Sequence, residues 1–201
     1  MYNRIDKRSF LQWIRTHLFS VVFSLFIIFL IVSVDARVWV IKQLISTGLF
    51  NADIGKKEVD KPDNIKADFD FLDERGHLIN MASLRGKVVF INFWASWCPP
   101  CRAEFPSIMV VSRKFKNHPE VYFLMINVDD HPATAQAYLK KENFVLPIFR
   151  INRDVPDYIF NGALPTTIVL DKKGRIRFRH EGFANYGTDN FAAQIKELLN
   201  E

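Results

Sequence analysis

The sequence predicts an α/β domain, in which a central mixed sheet is flanked by helices, joined to an N-terminal transmembrane helix. Three observations lead to this fold class. Residues 18–34 are apolar and uncharged, strand-like and helix-like segments alternate from Lys66 onward, and two cysteines stand where a strand gives way to a helix. A strand, a helix and a second strand in succession form a right-handed crossover with parallel strands, which places the domain in the α/β class.

Residues 18–34 are apolar on every helical face. A helix of this length approaches the hydrocarbon thickness of a bilayer once flanking Lys and Arg side chains extend to its surface. More basic residues precede the stretch than follow it, so the N-terminus is expected in the cytoplasm and the domain outside, in the periplasm or its equivalent. A cleaved signal peptide is the alternative, since residues 34–36 weakly resemble a cleavage site, but the apolar core is long for one. We therefore expect a single-pass protein of the cytoplasmic membrane.

Residues 37–50 have helix-like apolar spacing, and Trp39 stands just outside the predicted span. This segment is expected to lie at the membrane interface or to extend the anchor helix, with a partner-binding helix as the alternative. Residues 51–63 alternate in charge and are expected to form a tether. The chain then has four predicted segments: a basic cytoplasmic N-terminus (1–17), a transmembrane anchor (18–36), a juxtamembrane helix with linker (37–65) and the domain (66–201).

The net charge of +5 comes mostly from the N-terminal part, because acidic and basic residues nearly balance from Lys66 onward. No nucleic-acid partner is therefore implied.

The first half of the domain is expected to open with a β-hairpin. Its strands fall near residues 67–72 and 77–80, on either side of a turn that contains Gly76. Ser83 can cap a single helical turn that ends at Gly86. The mostly apolar run at residues 88–94 predicts a strand covered on both faces, placed at residues 87–93, and a helix from Cys98 to about residue 117 follows it.

The second half repeats the alternation of strands and helices. It predicts a strand at 121–128, a helix that begins at Pro132, a short strand at 148–151 and a short helix near 157–160. Two antiparallel strands at 166–170 and 175–181 follow, with charged and apolar residues alternating on the second, as on an edge strand. The last helix begins at Thr188.

Cys98 and Cys101 are the only cysteines of the chain. The two prolines between them fit only in the first turn of a helix, which places Cys98 at a helix N-terminus, where unpaired N–H groups favour a thiolate. We expect an exposed Cys98 that attacks a disulfide and a less accessible Cys101 that resolves the mixed disulfide. A structural disulfide would close too short a loop to stabilise the fold much, and a zinc site would need further ligands. Redox chemistry is the favoured interpretation, and no metal ligand is predicted.

Three separate motifs resemble the thioredoxin superfamily, and within it the membrane-anchored, extracytoplasmic TlpA/ResA-like thiol-disulfide oxidoreductases. They are residues 97–101, residues 102–106 and, far downstream, residues 163–167. The resemblance extends over roughly residues 66–201 and implies a thioredoxin-like fold. It also implies a cis peptide bond before Pro165 that packs against the disulfide, with substrate bound mainly through the main chain nearby. The residues expected to contact substrate are Trp97, Pro99, Pro100, Leu164, Pro165 and Thr166.

Glu104 follows Cys101 by one helical turn and lies on the same face. It is either a solvated surface charge or, as the resemblance implies, a carboxylate that tunes the cysteine pair and acts as its base. Asn92 stands where thioredoxin carries a buried Asp, six residues before Cys98. A role in proton transfer is therefore not expected for Asn92.

The resemblance implies a reductant of disulfides in exported proteins, such as apocytochrome c, that receives electrons from a partner membrane protein. It needs no cofactor beyond the redox-active pair Cys98–Cys101. A copper-delivery protein of the same superfamily is an alternative, although it would want three residues between its cysteines and a distal His, for which His180 is the candidate. An oxidant or an isomerase is a further alternative, because the reduction potential sets the direction of exchange and cannot be read from the sequence. A peroxidase and a catalytically idle scaffold are weaker possibilities.

Overall fold

The computed structural model describes residues 7–55, 65–152 and 155–201. Five α-helices occur in these ranges: α1 (Lys7–Val32), α2 (Val34–Ser46), α3 (Pro99–Lys114), α4 (Pro132–Lys141) and α5 (Asp189–Leu199). Seven strands accompany them: β1 (Asp70–Leu72), β2 (Leu78–Asn80), β3 (Val88–Trp94), β4 (Val121–Asn127), β5 (Ile148–Ile151), β6 (Thr166–Leu170) and β7 (Ile176–Glu181).

The strands form one mixed sheet in the order β2-β1-β5-β4-β3-β6-β7. Strand β3 is parallel to β4, and β4 is parallel to β5, whereas the other neighbours are antiparallel. The predicted hairpin, central parallel pair and final antiparallel pair are therefore confirmed. Every residue of β3 is buried, because this central strand is covered on both faces.

The two faces of the sheet are covered differently. Helices α3, α4 and α5 pack on one face, where β3 contributes alternate residues such as Phe90 and Trp94. The other face is packed by residues of the N-terminal hairpin region, the 3₁₀ turn Met81–Leu84 and the segment before β6. Among the described residues, helices thus cover one face, and the sequence prediction of a sheet flanked by helices is only partly met.

Two local predictions were wrong. The turn at Met81–Leu84 is capped by Asn80, whose side chain accepts a hydrogen bond from Ala82 N at 2.7 Å, and not by Ser83. The segment near residues 157–160 is a turn and not a helix. It closes through bonds from the N–H groups of Ile159 and Phe160 to Pro156 O and does not continue.

The N-terminal helices differ from a straight anchor. Helix α1 ends at Val32, and Ser33 caps α2 by accepting a hydrogen bond from Ala36 N at 3.2 Å. The segments Thr16–Val32 and Val34–Ser46 meet at an angle of 97°. Within the described ranges, no single helix has the length and apolar character of a membrane span, but this bent pair has both when taken together. Residues 34–36, assigned from the sequence to the end of the anchor segment, belong to α2.

Part of the predicted tether packs against the domain. Ala52 N donates to Asn185 O at 3.0 Å, and Asn185 N donates to Phe50 O at 2.7 Å, so that residues 50–52 run beside the loop after β7. Ile54 N donates to the side chain of Gln194 on α5 at 2.8 Å. The sequence missed this because a short segment paired with a distant loop has no periodicity of its own. Residues 56–63 of the predicted tether lie outside the described ranges.

Candidate active site

The cysteine pair lies where the buried strand β3 gives way to α3. Cys98 is the N-cap of α3, Pro99 and Pro100 occupy its first two positions, and Cys98 and Cys101 form a disulfide. The Cys98 sulfur accepts a hydrogen bond from Cys101 N at 3.3 Å. Because that N–H belongs to the unpaired first turn of the helix, it would equally stabilise negative charge on the sulfur in the reduced state.

The expectation of an exposed Cys98 was wrong. The residue is 3 % exposed, and Cys101 is wholly buried. The Cys98 sulfur is bonded inward to Cys101, and both residues belong to the apolar cluster beneath α3, which explains the small exposure. The remaining accessible surface of the pair belongs to Cys98 alone, beside Trp97, whose side chain is exposed.

Pro165 lies at the same end of the sheet. The Leu164–Pro165 peptide bond is cis, as the resemblance implied. Strand β6 runs antiparallel to β3 with Thr166 opposite Phe93, so the start of β6 lies beside the end of β3, just before the cysteine motif. The Pro165 carbonyl accepts a hydrogen bond from Gly182 N at 2.8 Å, and Thr166 Oγ1 donates to Ala163 O, which fixes the loop.

Glu104 is completely buried, so the interpretation as a solvated surface charge was wrong. Its carboxylate accepts hydrogen bonds from Asn92 Nδ2 at 2.8 Å and from Ala184 N at 3.3 Å. Burial raises the pKa of Glu104 to about 8, although both hydrogen bonds act in the opposite direction. At neutral pH the carboxyl group is therefore mostly protonated, and its pKa lies close to that of an ordinary thiol.

Asn92 is a site residue that the sequence reasoning undervalued. Its amide Nδ2 donates both to Glu104 and to Thr167 Oγ1, the latter at 2.9 Å, which ties α3 to β3 and β6. Among the described residues its Oδ1 atom has no partner, although it is buried. One signal was present in the sequence: Asn92 alternates with Phe90 and Trp94 and therefore faces the helices.

Replacing Asn92 with alanine is expected to raise the pKa of Glu104 above about 8, because the substitution removes a hydrogen bond that stabilises the ionised form. Titration of the Glu104 side-chain carboxyl by ¹³C NMR measures the shift. Thr167→Val is the matched control, because it removes the other partner of the Asn92 amide and leaves the bond to Glu104 in place. A midpoint that stays constant or falls in Asn92→Ala would contradict this role for Asn92.

His180, the candidate ligand of the copper alternative, lies on β7 opposite Thr167, with its ring stacked near that of Phe178. Across the described ranges, no group of three or more His, Cys, Asp or Glu side chains is placed to hold a metal ion.

Three features together define the class of protein. They are a mixed sheet in this strand order, a cysteine pair at the start of the helix after the central strand, and a cis-proline at the adjoining strand end. The protein is a thiol-disulfide oxidoreductase with a thioredoxin-like fold. The comparison with known proteins narrows the class. The family model for Redoxin matches residues 61–195, and the chain belongs to the Redoxin family.

Sequence relatives carry the same activity in their names. The chain is 30 % identical over 129 residues to the thiol-disulfide oxidoreductase ResA of Bacillus subtilis. The matched region covers 64 % of this chain and 72 % of ResA. The chain is 32 % identical over 111 residues to ResA of Geobacillus kaustophilus, covering 55 % of this chain and 63 % of the relative, less than two thirds of its length. The chain is thus a TlpA/ResA-like member of the thioredoxin superfamily.

A solved structure agrees with this placement. A thiol:disulfide interchange protein of the thioredoxin family from Chlorobium tepidum superposes with a TM-score of 0.56 at 26 % identity, over 70 % of this chain and 99 % of that one.

Proposed function

We propose that this protein is a membrane-anchored reductant that breaks disulfides of exported proteins on the outer side of the cytoplasmic membrane. The observation that carries the proposal is the Cys98–Cys101 disulfide at the first turn of α3, with the Cys98 sulfur held by a helix N–H. The substrates would include apocytochrome c or other exported proteins with paired cysteines. The pair itself would carry the electrons, without another cofactor.

The proposed reaction begins with the reduced pair. The Cys98 thiolate attacks one sulfur of a substrate disulfide, forms a mixed disulfide and releases the other substrate sulfur as a thiolate. Cys101 loses its proton and attacks Cys98, which frees the second substrate thiolate and forms the Cys98–Cys101 disulfide. The two electrons have then passed from the protein to the substrate. A membrane electron donor with its own dithiol would reduce the pair again.

The ionised form of Glu104, the minor form at neutral pH, is the proposed acceptor of the Cys101 proton. It lies one helical turn from Cys101, and burial brings its pKa to about 8, near that of a thiol. A base and a thiol of similar pKa exchange a proton with little cost in free energy, which suits a step that must run in both directions.

The anchor is proposed from the apolar part of α1, with α2 completing the bent pair that has the length and apolar character of a span. The apolar side chains of α1 between residues 18 and 32 are largely exposed, and the domain does not cover them. A bilayer would bury this surface, with the basic N-terminal residues on the cytoplasmic side and the domain outside.

The reduction potential of the Cys98–Cys101 pair tests the proposed direction. Equilibration of the full chain with dithiothreitol or glutathione buffers of known ratio, with thiols counted by alkylation and mass shift, gives the value. We expect a potential near that of thioredoxin, about −270 mV, which lies well below that of strong oxidants, about −120 mV. A value in the range of the strong oxidants would contradict the assignment as a reductant.

A further inference from the structure

Helix α2 is packed against the catalytic helix. Val38 and Ile45 of α2 are buried in a small apolar cluster with Ala103 of α3, two residues after Cys101. Asp35 at the start of α2 pairs with Arg102, with 2.8 Å between the carboxylate oxygen and the guanidinium nitrogen. One face of α2 therefore holds α3 directly beside the cysteine pair.

The opposite face of α2 is largely apolar, and it is exposed except at Val40, which is half-buried. Residues 39, 40, 43 and 44 share this face by their spacing of i, i+1, i+4 and i+5. The side chains of Trp39 and Leu44 are 63 % and 42 % exposed. Arg37 and Lys42 flank the face on its two sides by the same helical spacing. A Trp and apolar residues between flanking basic residues are typical of a helix at a lipid headgroup layer.

Helix α1 indicates what covers this face. Only Ser33 separates it from α2, and the axes of the two segments meet at 97°. If α1 crosses the bilayer close to the bilayer normal, the angle of 97° between the two helices places α2 parallel to the membrane surface. In this arrangement the bilayer lies next to α2, so lipid can bury Trp39 without a neighbouring protein.

We propose that α2 lies in the headgroup layer of the bilayer, with Trp39 and Leu44 toward lipid, and holds α3 on its other face. This inference rests on the proposed membrane anchor. It gives the cysteine pair a fixed orientation close to the membrane, so the favoured substrates are disulfides at the membrane surface. The hydrogen bond from Ala52 N to Asn185 O fixes the segment after α2 to the domain, which limits how far the domain can tilt relative to α2.

Spin labelling of the full chain in vesicles of phosphatidylcholine and phosphatidylglycerol tests the orientation. A nitroxide is attached to Trp39→Cys in a Cys98→Ser/Cys101→Ser background. Val145→Cys, at a side chain that is 86 % exposed on the domain, is the matched control. We expect the label at position 39 to collide more often with oxygen than with a water-soluble nickel complex, and the label at 145 to show the reverse.

Other outcomes overturn the proposal. A label at position 39 that is open to the nickel complex would contradict contact with lipid. Spin–spin broadening between labels at position 39 would also contradict it, and would name a second copy of this chain as the occupant.

A functional measurement is independent of the label. Trp39→Glu is expected to lower reduction of a disulfide-linked dye on a phosphatidylethanolamine headgroup about tenfold, because the local concentration of the cysteine pair at the surface falls. Reduction of soluble insulin should stay at the wild-type rate, and Val145→Glu should change neither. Equal rates of Trp39→Glu and wild type on the lipid-linked dye would contradict the inference.

These experiments separate the inference from the function on which it rests. A wild-type chain that does not float with vesicles in a density gradient would overturn the anchor and this inference together. A chain that floats but does not reduce insulin would overturn the proposed reductase activity. A chain that floats, reduces insulin and keeps the label at position 39 in water would overturn only the placement of α2.

Discussion

We expect the wild-type protein to catalyse the reduction of insulin by dithiothreitol, and we expect Cys98→Ser to abolish this catalysis. Exchange begins with attack by a thiolate, and a serine hydroxyl neither ionises near neutral pH nor forms a disulfide. Cys98 also has the only accessible surface of the pair, at 3 % exposure against none for Cys101, so Cys101 cannot take over the attack. The turbidity of precipitating insulin B chain measures the rate.

Cys101→Ser is the informative control for this prediction. It keeps the attacking sulfur and removes the resolving one, so mixed disulfides with substrate should accumulate and be visible on non-reducing gels. Their identification from membranes of the native organism would name the substrates. If Cys98→Ser catalysed insulin reduction at a rate near that of wild type, the assignment of Cys98 as the attacking cysteine would be contradicted.

Replacement of Glu104 by glutamine is expected to remove a large part of the pH dependence of stability. The pKa of this carboxyl is raised from 4.5 to about 8 by burial. Its contribution is therefore present in full below pH 4.5 and is lost as the pH rises toward 8, because only the unfolded chain ionises freely in that range. A shift of this size corresponds to a loss on the order of 5 kcal/mol in the free energy of unfolding.

Urea unfolding of the oxidised chain in detergent, followed by tryptophan fluorescence between pH 4.5 and pH 9, measures this dependence. The free energy of unfolding of Glu104→Gln should vary much less than that of wild type, and the variant should be the more stable protein at pH 9. Glu197→Gln makes the same change on the exposed face of α5 and should follow the wild-type curve. A Glu104→Gln curve parallel to that of wild type would contradict the buried, protonated state.

Most of the fold could be predicted because its signals are local. The mostly apolar run at residues 88–94 predicts a covered strand at residues 87–93, and β3 spans Val88–Trp94. Pro132 marks the start of α4, and Thr188 caps α5 by accepting a hydrogen bond from Phe191 N. The failures involve weaker signals: Asn80 and Ser83 are both good caps, and only the backbone path selected Asn80.

Only some features of the site could be predicted, because only some of them depend on residues close together in the sequence. The position of Cys98 at a helix start follows from two adjacent prolines, and the cis bond at Pro165 followed from the family resemblance. The burial of the Cys98 sulfur did not follow, because it depends on the packing of the strands and helices around it.

The sequence by itself determined the strand, the turn and the helix start that carry the cysteine pair, since apolar runs and prolines act within a few residues of themselves. Only the tertiary structure decided the state of Glu104. Whether Glu104 is protonated depends on its burial between α3 and the sheet. It also depends on hydrogen bonds from Asn92 and Ala184, which are 12 and 80 residues away in the chain. The docking of α2 on Ala103 was decided in the same way, because an amphipathic pattern shows that a face is apolar but not which surface will cover it.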